Sequence, residues 1–492
     1  MSTRSKLIAV DLGAESGRVV VGHLDQDQVR LEEVHRFANG PVRVLGSLHW
    51  DVLHLWSEIK QGLGKAARAH GSSLGSVGLD TWGVDFGLLA ADDTLLGNPY
   101  HYRDSRTDMM MEAAFEIVPR EEIFERTGIQ FMQLNSLYQL LAMVKADAPA
   151  LRAAKTFLNM PDLLHFWLSG RKANEFSIAT TSQCFDPRAG DWAREMLERF
   201  AIPSHIYGEI VEPGTVLDRL RPAVMQETGC PSIPVIAPGS HDTASAVAAV
   251  PARDDDYVYL SSGTWSLIGV ETREPIINRQ TLEANLTNEG GVNKTIRLLK
   301  NIMGLWLVQE CRREWSRAGH TFSYDDLTEM AAGAPAFGPL VNASDPRFLA
   351  PGDMPGRIQA YCRDSDQPVP ESRGEIVRCA LESLALEYRR VTDVLSQVVR
   401  KRLGTIHIVG GGSKNRLLDQ FTADATGRPV VAGPVEATAI GNILVQALAL
   451  GQINSLQEGR ELVRRSCKVE TFEPRDRGPW DEAYYRYSDL LK

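Results

Sequence analysis

Two stretches half a chain apart carry the same local instruction. LIAVDLGAESGRVVVG, from Leu7, and YVYLSSGTWSLIGVET, from Tyr257, each place an apolar run, a turn of small residues and a second apolar run in succession. Gly13 and Gly263, inside the two turns, stand 250 residues apart in a chain of 492. Repetition at half the length indicates a duplicated unit, and a chain this long exceeds what one hydrophobic core supports. The echo continues downstream. Apolar residues at helical spacing from Trp50 to Ala69 precede the strand and turn SVGLDTWG, and a longer helical pattern from Gly374 to Val399 precedes the strand IHIV and GGGSKN. The expected architecture is α/β with two related lobes divided near Val250. Residues 1–250 hold a mostly helical insertion over about 108–170, and the last helix of 251–492 is expected to pack back on the first lobe.

Composition removes several function classes. Lys and Arg number 53 against 63 Asp and Glu, a net charge of −10, with no basic cluster to follow a phosphate backbone, so nucleic acid is not an expected partner. No apolar run is long enough to span a bilayer. The slightly basic start, MSTRSKLIAVDLG, has an apolar stretch of only Leu7 to Val10, too short for a signal-peptide core. The cytoplasm is the expected location. Six cysteines lack the paired spacing of a zinc or redox motif. They read as free thiols, with Cys362 and Cys379 able to pair only if the fold brings them close.

Four places carry chemistry. In DLGAESGR, Gly13, Ala14, Glu15, Ser16 and Gly17 form a turn whose backbone N–H groups suit an anion, and Arg18 adds charge. A plain hairpin needs the same glycines. Asp11 ends the preceding strand, where a carboxylate holds Mg²⁺ directly or through water, or caps the turn. SSGTWS offers a second such turn with Thr264. IHIVGGGSKN opens backbone at Gly411 to a flat ring such as adenine, or is a loose loop between strand and helix. In APGSHDTASAV, Asp242 stands at the start of a helix rich in small residues. It either complements the helix dipole or accepts a proton in phosphoryl transfer. No Walker A pattern is present: GLGKAA at 62–67 has neither its glycine spacing nor the hydroxyl residue after lysine.

The motifs VDLGAESGRV, DTWGVDFGLL, YRDSRT, SHDTASAV, YLSSGTWSLIG, TNEGG, LKNIMGLWLVQE and HIVGGGSKN together resemble the FGGY family of carbohydrate kinases along nearly the whole chain. The resemblance implies an actin/hexokinase-like, ribonuclease H-like pair of domains with a central cleft. It implies ATP as phosphoryl donor with Mg²⁺, and a small-molecule ketose, L-rhamnulose phosphorylated at its C1 hydroxyl, as acceptor. L-fuculose or xylulose as acceptor, or a non-kinase ATPase on the same fold, are the alternatives. By resemblance Ala14 to Arg18, Thr264, Asn301, Gln309 and Gly411 contact ATP, while Gly83, His241, Asp242 and Thr243 contact the sugar. Asp242 is then the general base. Glu15 stands where a small hydroxyl residue is usual in the family, and Trp82 either walls the sugar pocket or fills the core. Oligomeric state is left open, a monomer included.

Overall fold

The computed structural model describes residues 6–25 and 27–492, so Arg4 in the basic start lies outside the described residues. Packing divides the chain into two compact units. Unit 1 is Met1–Pro251, Glu271–Leu298 and Ala437–Ser466, and unit 2 is Ala252–Val270, Leu299–Glu436 and Cys467–Lys492. Two later segments therefore belong with the first half, where a single division near Val250 was expected.

Unit 1 opens with an antiparallel meander, β1 (Lys6–Leu12), β2 (Ser16–Leu24) and β3 (Val29–Ala38). Nearly every residue of β1 is buried, the pattern of a central strand covered on both faces. Helix α1 (Val52–His70) is capped by the Asp51 side chain, which accepts from the His54 N–H. Strand β4 (Leu74–Thr81) then returns parallel to β1. The next strand does not join β4. Phe86–Leu89 pairs instead with Thr156–Asn159, inside the insertion. The insertion is mainly helical over 110–169 but continues beyond Gly170 with short strands. The sheet resumes with β5 (Val216–Arg219) and β6 (Pro234–Ile236), and its order is β5-β6-β4-β1-β2-β3. Helix α2 (Asp242–Ala248) follows β6.

The second sheet begins with β7 (Tyr257–Ser262), β8 (Ser266–Thr272), β9 (Thr287–Gly290) and β10 (Ile296–Ile302). Helix α3 (Arg373–Val399) starts on a capping box of Ser372 and Glu375. Strand β11 (Thr405–Val409), helix α4 (Arg416–Thr426) and strand β12 (Val430–Ala432) follow. The remaining elements are α5 (Ala437–Ala449), α6 (Leu456–Ser466), β13 (Glu470–Phe472) and α7 (Gly478–Asp489). The order is β9-β10-β8-β7-β11-β12-β13. Pairing directions repeat between the sheets. β1/β2 and β7/β8 are antiparallel, β1/β4 and β7/β11 parallel, β6/β4 and β12/β11 parallel, and β5/β6 and β13/β12 antiparallel.

Helix α5 is packed in unit 1 on α2, where a Cβ at Gly441 would come within 1.7 Å of the Ser245 carbonyl oxygen. Only glycine permits that approach. The last helix, α7, belongs to unit 2. Its Trp480 lies 5.2 Å from the Phe421 ring of α4, and its Tyr487 hydroxyl donates to Glu387 of α3 at 3.0 Å. Cys362 and Cys379 are free and buried. No helix among the described residues is long and apolar enough to cross a membrane.

Candidate functional site

Strands β1, β4 and β6 run the same way, so their carboxyl ends share one edge of the sheet, the edge where open α/β sheets hold ligands. Each end delivers an aspartate. Asp11 lies on β1 opposite Asp80 of β4 in the parallel register, and opposite Arg18 of β2 in the antiparallel one. Past β6, the chain is tied to β4 by the Thr81 N–H, which donates to the Ser240 carbonyl at 2.9 Å. That contact brings His241 and Asp242 to the same edge.

The three carboxylates feel one another. Asp80 is fully buried, and its pKa is raised well above the ordinary value by burial first and by Asp11 next. Its Oδ2 accepts from Asn442 Nδ2 at 2.6 Å, while its buried Oδ1 has no hydrogen-bond partner among the described residues. Asp242 is raised by burial, with His241 opposing the shift and Asp11 adding to it. It keeps 29% of its side chain accessible, so it is reachable by a ligand. Arg18 binds Asp11 Oδ2 through Nε at 2.9 Å and Nη2 at 2.6 Å.

Structure separates the residues of DLGAESGR into two kinds. Gly13, Ala14 and Glu15 form the turn, closed by the Gly13 N–H to the Ser16 carbonyl at 2.9 Å. Asn39 braces it, its Nδ2 donating to the Gly13 carbonyl and its N–H to that of Glu15. Glu15 is exposed. Ser16 and Gly17 are already strand, and Gly17 is buried because a Cβ there would meet the Phe37 ring at 2.4 Å. Packing therefore explains Gly17.

A Cβ at Gly83 would sit 3.3 Å from Thr181 Oγ1 and 3.4 Å from His241 Nε2, so the missing side chain leaves a space rimmed by polar atoms. Trp82 holds that loop from behind. Its ring packs at a tilt against Trp50, centroids 3.9 Å apart, and both indole N–H groups donate to buried Asp85, at 3.0 and 2.6 Å. The ring fills the core. Thr243 is buried in the first turn of α2, its hydroxyl 3.1 Å from Asp242 Oδ1.

Thr264, Asn301, Gln309 and Gly411 all fall in unit 2. The turn after β7 is tied down by Leu305 N–H to the Gly263 carbonyl and Trp306 N–H to the Thr264 carbonyl, each at 3.1 Å. Asn301 is on β10, and Gln309 is on the helix Trp306–Arg317 with its Oε1 buried and without a hydrogen-bond partner among the described residues. The three glycines after β11 are not equivalent. A Cβ at Gly412 would lie 2.0 Å from Ser262 Oγ, whereas one at Gly411 meets nothing within 4 Å. The open backbone is at Gly411.

One further group of metal-type side chains occurs among the described residues, His23, Glu32 and His70. Lys6 Nζ lies 2.9 Å from His70 Nδ1 and, as a donor, leaves the ring proton on Nε2, 3.3 Å from Glu32 Oε1. His23 meets Glu32 at 2.9 Å. The carboxylate clamps two imidazoles, and the lone pair a metal needs on His70 is absent.

Sequence reasoning missed Asp80, Glu289 and Arg297. Asp80 carries a readable signal, since GLDTWG ends an apolar strand with Asp and a turn much as AVDLG does. Arg297 carries none: a basic residue inside TIRLLKN reads as the polar position of an alternating strand, yet its side chain is fully buried.

The N-terminal domain of the FGGY family of carbohydrate kinases matches residues 6–249, and the C-terminal domain of that family matches 258–450. A protein of Bacteroides thetaiotaomicron named rhamnulokinase is 45% identical over 489 residues, covering 99% of this chain and 100% of that protein. The Bacillus subtilis protein of that name is 38% identical, over 95% of this chain and 95% of its own. Among solved structures, a xylulose kinase from Lactobacillus acidophilus superimposes with a TM-score of 0.81 at 16% identity, covering 99% of this chain and 97% of that one. Plasmodium falciparum glycerol kinase with ADP gives 0.74 at 16% identity, over 99% and 96%. At such identities the structural likeness concerns the fold alone.

Proposed function

The chain belongs to the FGGY family of carbohydrate kinases, and from that premise we propose that it transfers the γ-phosphoryl group of ATP to the C1 hydroxyl of L-rhamnulose, giving L-rhamnulose 1-phosphate and ADP in the cytoplasm. The observation that carries the reading is Asp242, a reachable carboxylate at the start of α2 whose basicity is raised by burial. As the C1 oxygen forms its bond to phosphorus and the bond to the β,γ-bridging oxygen breaks, the hydroxyl proton passes to Asp242. Gly83 and Thr181 border the sugar, and His241 and Thr243 flank the base.

Asp11 and Asp80 suit Mg²⁺, which takes hard carboxylate and water oxygens. They are neighbours in register, and the buried Asp80 Oδ1 has no hydrogen-bond partner among the described residues. Bound there, the ion would neutralise phosphate charge. In unit 1 the turn Gly13–Glu15 offers backbone suited to phosphate, with Arg18 held on Asp11 beside it, and within unit 2 Thr264, Asn301, Gln309 and Gly411 offer groups suited to a nucleotide.

The test is ATP consumption across a panel of ketoses. L-Rhamnulose gives the highest kcat/KM. L-Xylulose, which lacks the terminal methyl, gives a lower value, because one methyl in an apolar pocket is worth about 1–3 kcal/mol, and L-fuculose, which keeps the methyl but differs in the configuration of one hydroxyl, is also slower. Glycerol gives little. A preference for D-xylulose or glycerol overturns the substrate and leaves the kinase reading in place.

A further inference from the structure

His241 lies beside the base, and its ring is gripped from behind by two residues of opposite charge. Arg297, on β10, is 0% exposed and donates from Nη2 to His241 Nδ1 at 3.0 Å. The same Nη2 lies 3.2 Å from Glu289 Oε2 of β9, and Nε donates to the Gly290 carbonyl at 2.8 Å. Glu289 Oε2 is itself 3.3 Å from His241 Nδ1. The two neighbours of Nδ1 ask for different tautomers. A guanidinium is always a donor, so Nδ1 facing it must be a lone pair. A carboxylate is an acceptor and would draw the ring proton onto Nδ1.

Geometry decides between them. The Arg297 contact is shorter and aligned as a hydrogen bond, and the Arg297–Glu289 pair gives the carboxylate another partner. With the Nδ1 lone pair taken by Arg297, the ring proton sits on Nε2. That nitrogen lies 3.5 Å from Asp242 Oδ1 and 3.4 Å from the place a Cβ would take at Gly83. The backbone fixes where the ring starts: the His241 N–H donates to Ser177 Oγ at 3.2 Å, and Ser177 Oγ donates to Glu175 at 2.6 Å.

We propose that Arg297 is a positioning residue that sets the His241 tautomer, so that Nε2–H faces Asp242 and is a fixed donor to a sugar oxygen in the space over Gly83. The inference rests on the kinase reading of that site. With the other tautomer, a lone pair on Nε2 would face the Asp242 carboxylate and offer the sugar no donor.

Long-range proton–nitrogen NMR on protein labelled at histidine, without substrate, reports which ring nitrogen of His241 carries the proton. The wild type shows Nε2–H. Arg297→Met leaves Glu289 alone beside Nδ1, moves the proton there, and lowers kcat for the ketose by about 10², the usual cost of one oriented donor, with KM for ATP within about twofold. In Arg297→Met/Glu289→Gln, the new amide donates to Nδ1, returns the proton to Nε2 and recovers at least tenfold of the lost kcat. Nδ1–H in the wild type overturns the proposal, even if Arg297→Met does not fold. So does a double variant that regains the Nε2–H tautomer without regaining kcat. Turnover of any ketose by the wild type tests the kinase reading separately, since the tautomer is read without catalysis.

Discussion

The two sheets share one pairing scheme, yet their equivalent strand ends hold opposite chemistry. In the first sheet, β1, β4 and β6 lead to Asp11, Asp80 and Asp242. In the second, β7 and β11 lead to Ser262, Gly263, Thr264 and three glycines, and a carboxylate, Glu436, comes only past β12. Duplication thus supplied one scaffold twice. One copy concentrates negative charge, which suits a metal ion and proton transfer, and the other exposes neutral backbone and hydroxyl groups, which suit a nucleotide.

Asp242→Asn breaks the charged end most directly. The variant folds and binds ATP, and phosphoryl transfer falls by about 10² to 10⁴, the range for losing a general base. Near-normal turnover with a lowered Tm would make Asp242 a helix cap and no more.

The second copy has a buried carboxylate away from the strand ends, Asp419 in the first turn of α4. Neither of its oxygens has a hydrogen-bond partner among the described residues, and burial pushes its pKa up to about 9. The folded state then holds a proton that the unfolded chain releases near its ordinary value of 3.8. Stability falls as pH rises between those values, by about 1.4 kcal/mol per pH unit, or about 4 kcal/mol from pH 5 to 8. Asp419→Asn removes that slope. Denaturant unfolding at several pH values checks it, and parallel pH dependences for variant and wild type would refute the raised acid.

Within the glycine loop, the comparison sharpens to adjacent residues. Gly412→Ala forces a Cβ onto Ser262 Oγ and costs about 1–3 kcal/mol of stability, read as a lower Tm. Gly411→Val meets open space, leaves Tm nearly unchanged and raises KM for ATP about tenfold, close to 1.4 kcal/mol. Calorimetry showing wild-type nucleotide binding in a folded Gly411→Val protein would remove adenine from this loop.

Local patterns were legible where a short segment carried its own physics. Alternation and small-residue turns marked β1, β2, β7 and β8, and the helical period marked α1 and α3 almost to their ends. The start of α2 at Asp242 was readable from strand, loop and small-residue helix in succession. Gly17 misled, because a glycine that makes room for Phe37 looks like one that makes a turn. Trp82 stayed ambiguous until Trp50 and Asp85 were seen to hold its ring.

The sequence by itself determined the duplication, the hairpin turns and the family, because each is written in contiguous residues whose spacing repeats. Tertiary structure decided which residues meet. Asp80 joins Asp11 only through parallel register between strands separated by α1. Residues 437–466 join unit 1 because Gly441 lets α5 rest on α2, while their apolar pattern says only that they are buried. Arg297 reaches His241 across 56 residues, and its charge is acceptable in the interior only because Glu289, Gly290 and His241 surround it. A chain encodes its periods locally, but a buried charge is made tolerable by partners that the fold alone brings within hydrogen-bond distance.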